Sequence, residues 1–129
     1  MGLRVLIVDD SPLMRTVVRR VMLLSGVEID LCSEASNGLE ALEWLHNHPV
    51  DLVLTDINMP QMSGADLLRE MKRTGLLARI RTLVISTDST DHRIHDMIEL
   101  GAHGYVTKPF HPEALRQELD RVLGNEYAG

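Results

Sequence analysis

Four polar groups in the chain have types that suit one another chemically: the acid pair Asp9-Asp10, the acid Asp56, the hydroxyl pair Ser86-Thr87, and Lys108. Three carboxylates brought together repel, each close pair by up to about 4 kcal/mol at 4 Å in an effective dielectric near 20. A divalent cation relieves that repulsion. Oxygen ligands from carboxylates, a carbonyl and water suit Mg²⁺, a hard ion that keeps several waters and often meets phosphate. A lysine adds fixed positive charge, and cation, lysine and hydroxyl together stabilise the spread charge of a phosphoryl group in transfer. A carboxylate can be the covalent nucleophile of such a transfer, giving an aspartyl phosphate. Asp56 is central in the set and is the candidate for that role. Taken singly, each group has an ordinary explanation as a helix cap, a loop acid or a turn. Their joint occurrence, in order along the chain, points to a site.

The elements that must position these groups are legible as a change of period. Short aliphatic runs at Leu3 to Val8, Glu28 to Glu34, Asp51 to Thr55, Arg81 to Ile85 and His103 to Val106 predict five strands. Helices are predicted from 12 to 25, from Asn37 to about His46, from about Gly64 to Arg73, from about Thr90 to Leu100 and from about Pro112 to Leu123. Ser11 before Pro12 is a helix-start signal, Asn37-Gly38-Leu39-Glu40 has a capping-box pattern, and Gly26, Gly75 and Gly101 are stops. The apolar stripe of the first helix is expected on Leu13, Val17, Val18, Val21 and Leu24. Strict alternation of strand and helix predicts an α/β fold: a doubly wound, five-stranded parallel sheet with helices on both faces. The flavodoxin-like strand order 2-1-3-4-5 is expected. In that order every one of the four groups falls just past the carboxyl end of a strand, on the edge where open α/β sheets bind ligands.

The bulk properties limit the alternatives. The 129 residues suit one domain, 1–129, and 44% hydrophobic content with only 3% aromatic implies a core of aliphatic residues and methionine. A net charge of -6 argues against direct binding to nucleic acid or an anionic membrane. Cys32 is the only cysteine, so no internal disulfide forms; this suits a cytoplasmic location. No apolar run approaches the length of about 20 residues needed to cross a bilayer.

The segments Val5-Leu6-Ile7-Val8-Asp9-Asp10-Ser11, Ala35-Ser36-Asn37-Gly38-Leu39-Glu40-Ala41-Leu42, Asp56-Ile57-Asn58-Met59-Pro60 and Gly101-Ala102-His103-Gly104-Tyr105-Val106-Thr107-Lys108-Pro109-Phe110 closely resemble the receiver domain of two-component response regulators. The resemblance covers nearly the whole chain. It implies that Asp56 takes a phosphoryl group from a phosphohistidine on a sensor histidine kinase. It implies that Asp10, Asp56 and the Asn58 backbone carbonyl bind Mg²⁺, with Asp9 acting through water. Lys108 would pair with the acceptor carboxylate, Ser86 would bond the phosphoryl group, and Tyr105 would turn inward as Ser86 moves. The Lys108-Pro109 bond would be cis. Asn58 and Asp88, two residues after Asp56 and Ser86, would tune how long the phosphate lasts. The surface of the fourth helix, fifth strand and fifth helix would then recognise a downstream protein.

Only Gly124 to Gly129 follow the last helix, so a stand-alone receiver is expected, and Met14-Arg15 and Asn58-Met59-Pro60 lean toward the chemotaxis type. A receiver cut from a longer regulator and a phosphorelay shuttle remain open. An aspartyl-nucleophile phosphatase is the alternative from another class, but it would want a second Asp where Asn58 stands and room for a cap domain. No nucleotide-binding glycine motif is present. His92 and His95 read as a solvated helix face, His46 and His48 as a surface turn, and the seven methionines as core filling.

Overall fold

The computed structural model describes residues 2–124. Five strands, β1 (Leu3–Val8), β2 (Ile29–Ala35), β3 (Leu52–Thr55), β4 (Arg81–Ser86) and β5 (Gly104–Thr107), alternate with α1 (Pro12–Leu24), α2 (Gly38–Asn47), α3 (Gly64–Arg73), α4 (Asp91–Glu99) and α5 (Pro112–Leu123). All strand pairs are parallel and the sheet order is β2-β1-β3-β4-β5, the flavodoxin-like arrangement the alternation predicts.

Period-2 side-chain alternation splits the strands between two cores. Leu3, Val5 and Ile7 of β1 join Leu52, Leu54, Leu83 and Val106 against Val18 and Met22 of α1 and Leu115, Leu119 and Leu123 of α5. Leu6 and Val8 of the same strand point the other way, with Val53 and Val84, toward α2, α3 and α4. The central strands are buried on both sides, which is why they read as unbroken aliphatic runs.

The starts of α1 and α2 follow the sequence signals at Ser11 and Asn37, and Ser63 and Thr90 cap α3 and α4 in the same way. Ser11, Asn37, Ser63 and Thr90 each accept a backbone N–H of the first turn through a side-chain oxygen. Glu40 completes the cap of α2 by accepting from the Ser36 N–H. Gly75 takes φ 81° and ends α3. Two expectations change. The stripe on α1 is narrower than predicted: Leu13, Val17 and Leu24 are 75%, 41% and 66% exposed, while Val18 and Met22 are buried. Apolar residues lie on more than one side of α1, and the sheet can cover only one. After Gly75 a 3-10 turn at Leu76–Ala78, not predicted, tucks Leu76 and Leu77 under the second core.

The outer side of β5 is covered by α5. Glu118 accepts the Tyr105 N–H at 3.0 Å, and Arg121 donates to the His103 carbonyl at 2.9 Å while pairing with Glu118. No helix among the described residues is long and apolar enough to cross a membrane.

Candidate functional site

The strand ends deliver the acids. Asp9 follows β1, and its N–H bonds the Ala35 carbonyl at the end of β2; Asp56 follows β3, and its N–H bonds the Val8 carbonyl. Asp9, Asp10 and Asp56 each offer a carboxylate oxygen within 4.8 Å of the other two. Among the described residues they are the one cluster of three potential ligands at that spacing.

Their surroundings differ. Asp9 is buried and tied down: Oδ1 accepts from the Ser11 N–H at 2.9 Å, and Oδ2 from Lys108 Nζ at 3.3 Å. Asp10 is exposed. Asp56 is half-buried, with Oδ1 accepting from the Ile57 N–H at 2.7 Å and Oδ2 lying 3.8 Å from Lys108 Nζ. Lys108 therefore leans toward Asp9 while staying within reach of Asp56, and its Lys108-Pro109 bond is cis, as the resemblance implies. Burial pushes the Asp56 carboxyl above its ordinary pKa. The Ile57 N–H and Lys108 oppose the rise, and the Asp9 and Asp10 charges add to it. An all-oxygen cluster with this excess of negative charge fits a hard divalent cation.

A matching family model, that of the response regulator receiver domain, covers residues 5–120, a span that includes every one of these groups. The chain belongs to the response regulator receiver family. The receiver is 35% identical over 122 residues to the chemotaxis protein CheY-3 of Vibrio cholerae, covering 95% of this chain and 92% of that protein. It is 38% identical over 117 residues to the nitrate/nitrite response regulator NarP of Escherichia coli, covering 90% of this chain and 53% of that one. The solved structure of the chemotaxis response regulator CheY4 of Vibrio cholerae superposes with a TM-score of 0.82 at 30% identity, over 95% of this receiver and 99% of that chain.

Of the remaining residues named from the sequence, Ser86, Asp88 and Tyr105 sit around the receiver's β4 and β5. Ser86 is buried, and its hydroxyl accepts the Asp88 N–H at 3.1 Å. The Tyr105 hydroxyl donates to the Asp88 carbonyl, and its half-buried ring packs against the core. Ser86 and Tyr105 thus grip opposite ends of one residue's backbone. The Asp88 carboxylate turns away to Thr90, accepting its N–H at 3.0 Å and its hydroxyl at 2.7 Å, with Arg93 at 3.6 Å. The Thr90 bonds, foremost its N–H, hold the Asp88 carboxyl below the ordinary range. Asn58 is exposed in the loop after β3. His92 and His95 pair with Asp96 and Glu99 of their own helix on an exposed face, and His48 stacks on Trp44 with ring centres 3.6 Å apart.

Two residues of the site escape a reading by side-chain type because they act on backbone. Gly64 opens α3 where its N–H bonds the Ile57 carbonyl at 2.7 Å; a Cβ there would lie 2.1 Å from the Asp56 carbonyl oxygen. Arg15, one turn into α1, donates to the Asp9 carbonyl at 2.6 Å. The only advance signs were a glycine at a predicted helix start and a basic residue close after an acid pair.

Proposed function

We propose that this receiver takes a phosphoryl group onto Asp56 from the phosphohistidine of a sensor histidine kinase. The carrying observation is the convergence of Asp9, Asp10 and Asp56 within 4.8 Å, with Lys108 against two of them. Asp10, Asp56 and the Asn58 carbonyl would hold Mg²⁺, with Asp9 joining through water; the ion supplies charge neutralisation for the transferring group. An Asp56 carboxylate oxygen bonds phosphorus as the phosphorus–nitrogen bond breaks, and that bond's electron pair stays on the imidazole. Lys108 then faces the new phosphoryl oxygens. Water attack at phosphorus later returns free phosphate and the Asp56 carboxylate. Asn58 and Asp88 tune that lifetime.

The switch follows from shared partners. When the Ser86 hydroxyl turns to a phosphoryl oxygen it leaves the Asp88 N–H, and the same residue's carbonyl is the partner of Tyr105. A charge event at Asp56 thereby shifts the populations of the α4, β5 and α5 surface, where a downstream protein binds. A cleft of about 530 Å³ between β5 and α5, bordered by Tyr105, Phe110 and Gln117, lies on that surface. The relatives named for chemotaxis favour a target in motility control. NarP, of which this chain spans about half, favours the second reading: a receiver module that serves a larger regulator.

The test is intact mass after incubation with Mg²⁺ and acetyl phosphate. One acid-stable, base-labile phosphoryl adduct is expected, and Asp56→Asn abolishes it. An adduct that survives Asp56→Asn sinks the assignment.

A further inference from the structure

Asp9 and Asp10 are joined by one peptide, and the orientation of that planar unit sets where both side chains start. Its carbonyl oxygen, that of Asp9, accepts from Arg15 Nη1 at 2.6 Å. Arg15 is itself held: its Nε donates to Glu34 Oε1 at 2.8 Å, and its side chain is only 16% exposed. Glu34, near the end of β2, is anchored on its other oxygen by Arg19, whose Nη2 lies 2.7 Å from Oε2 and also donates to the Cys32 carbonyl. The Arg19 and Arg15 bonds keep the Glu34 carboxyl below its ordinary pKa, so the partner is an anion at neutral pH.

We infer that Arg15, aligned by Glu34, is a positioning residue that fixes the Asp9-Asp10 peptide for cation binding. The inference rests on the Mg²⁺-dependent reading of the acid cluster. Asp9 needs little further restraint, since both of its oxygens and its N–H are already bonded. Asp10 is exposed, and the fixed peptide on its N-terminal side is what keeps its carboxylate aimed at the cluster. An arginine suits this task because its fork can serve a carbonyl and a carboxylate at once, which a lysine ammonium on a flexible stem does poorly. An ion pair that merely joined α1 to β2 would need Glu34 alone and would leave the Asp9 carbonyl out.

The sign of the effect separates positioning from charge. Removing a cation near a Mg²⁺ site strengthens binding electrostatically. Removing a positioning group weakens it, because groups that orient metal ligands typically carry about 10-fold or more in affinity. Mg²⁺ is titrated calorimetrically into the full chain as wild type, Arg15→Met, Arg15→Lys and Arg19→Met, with folding followed by thermal unfolding in chelator. Arg15→Met is expected to weaken Mg²⁺ binding about 10-fold. Arg15→Lys is expected to fall between it and wild type. Arg19→Met carries the same charge change and releases one Glu34 oxygen but leaves both Arg15 bonds in place, and is expected to lose far less affinity than Arg15→Met. With acetyl phosphate, the Mg²⁺ concentration for half-maximal phosphorylation of Arg15→Met rises by about the same factor, while the rate at saturating Mg²⁺ changes little. If Arg15→Met does not fold, the Arg15→Lys and Arg19→Met comparison decides alone. Unchanged or tighter binding in the Arg15 variants, or an equal loss in Arg19→Met, overturns the inference and leaves the cation reading standing. A wild-type chain that takes up no Mg²⁺ brings down both.

Discussion

Asp51 and Asp56 bracket the same strand, β3, and their side chains are almost equally exposed at 18% and 19%. They are held in opposite ways. Asp51, at the entry, accepts from Arg4 three times: from its backbone N–H at 2.9 Å, Nε at 3.1 Å and Nη2 at 3.0 Å. That hydrogen bonding holds its carboxyl below the usual range. Asp56, at the exit, has one backbone N–H, a lysine 3.8 Å away and two neighbouring acids, and burial drives its carboxyl up. Residue type and side-chain exposure are matched, but the Asp56 carboxyl is set deeper from solvent and has fewer donors, so the difference lies in depth and partners together. One end of the strand satisfies its carboxylate and fastens the fold. The other leaves its carboxylate short of positive charge, a condition that a cation can relieve.

The comparison can be broken most forcefully at Gly64. Gly64→Ala drives a methyl group into the Asp56 carbonyl and is expected to cost about 3 kcal/mol in chemical denaturation, with loss of phosphorylation. A stability within error of wild type would show that the close approach is not required. Next, Mg²⁺ at 100 times its dissociation constant should stabilise the chain by about 2.7 kcal/mol, and Asp56→Asn should cut that gain sharply. Asp51→Ala should destabilise by about 1.5 kcal/mol, because it removes a charged acceptor from three donors at a partly exposed site. The smallest effect has the opposite sign. In chelator at neutral pH, Asp56→Asn should stabilise by about 1 kcal/mol.

The two acids should also part in their pH dependence. A folded-state pKa below the unfolded value gives stability at neutral pH that is lost as pH falls through the lowered value, so the Asp51→Ala deficit should shrink in acid. A folded-state pKa above the unfolded value does the reverse. The penalty at Asp56 is absent well below the ordinary carboxylate value of 3.8 and is complete above the raised one. The Asp56→Asn gain should therefore appear only as pH rises through that window. Urea titrations across acid and neutral pH check both slopes, and parallel slopes would remove the distinction between the two ends.

The strands, the helices and their order were legible because alternation of period 2 and period 3.6 is written in side-chain polarity. The acids, Ser86 and Lys108 were legible because ligand-binding edges of such sheets collect strand ends. The side of α1 was not, since Leu13, Val17 and Leu24 look as apolar in sequence as Val18 and Met22, and only packing chooses between them. Arg15 and Gly64 were not legible as site residues because each meets a backbone carbonyl, and no pattern of side-chain types records a carbonyl's position. The bond from Lys108 to Asp9 rather than Asp56 is likewise a matter of half an ångström, below what spacing can resolve.

The cover that α5 lays over β5 has a colloidal consequence. A parallel sheet ends in a strand whose free N–H and carbonyl groups can template another chain, and flat exposed edges of this kind seed polymers. Here the Tyr105 N–H and His103 carbonyl are already taken by Glu118 and Arg121, so two of the groups that a neighbouring strand would use are occupied. A second copy pairing along β5 would first have to break those two bonds, a cost that works against growth of a polymer from that edge.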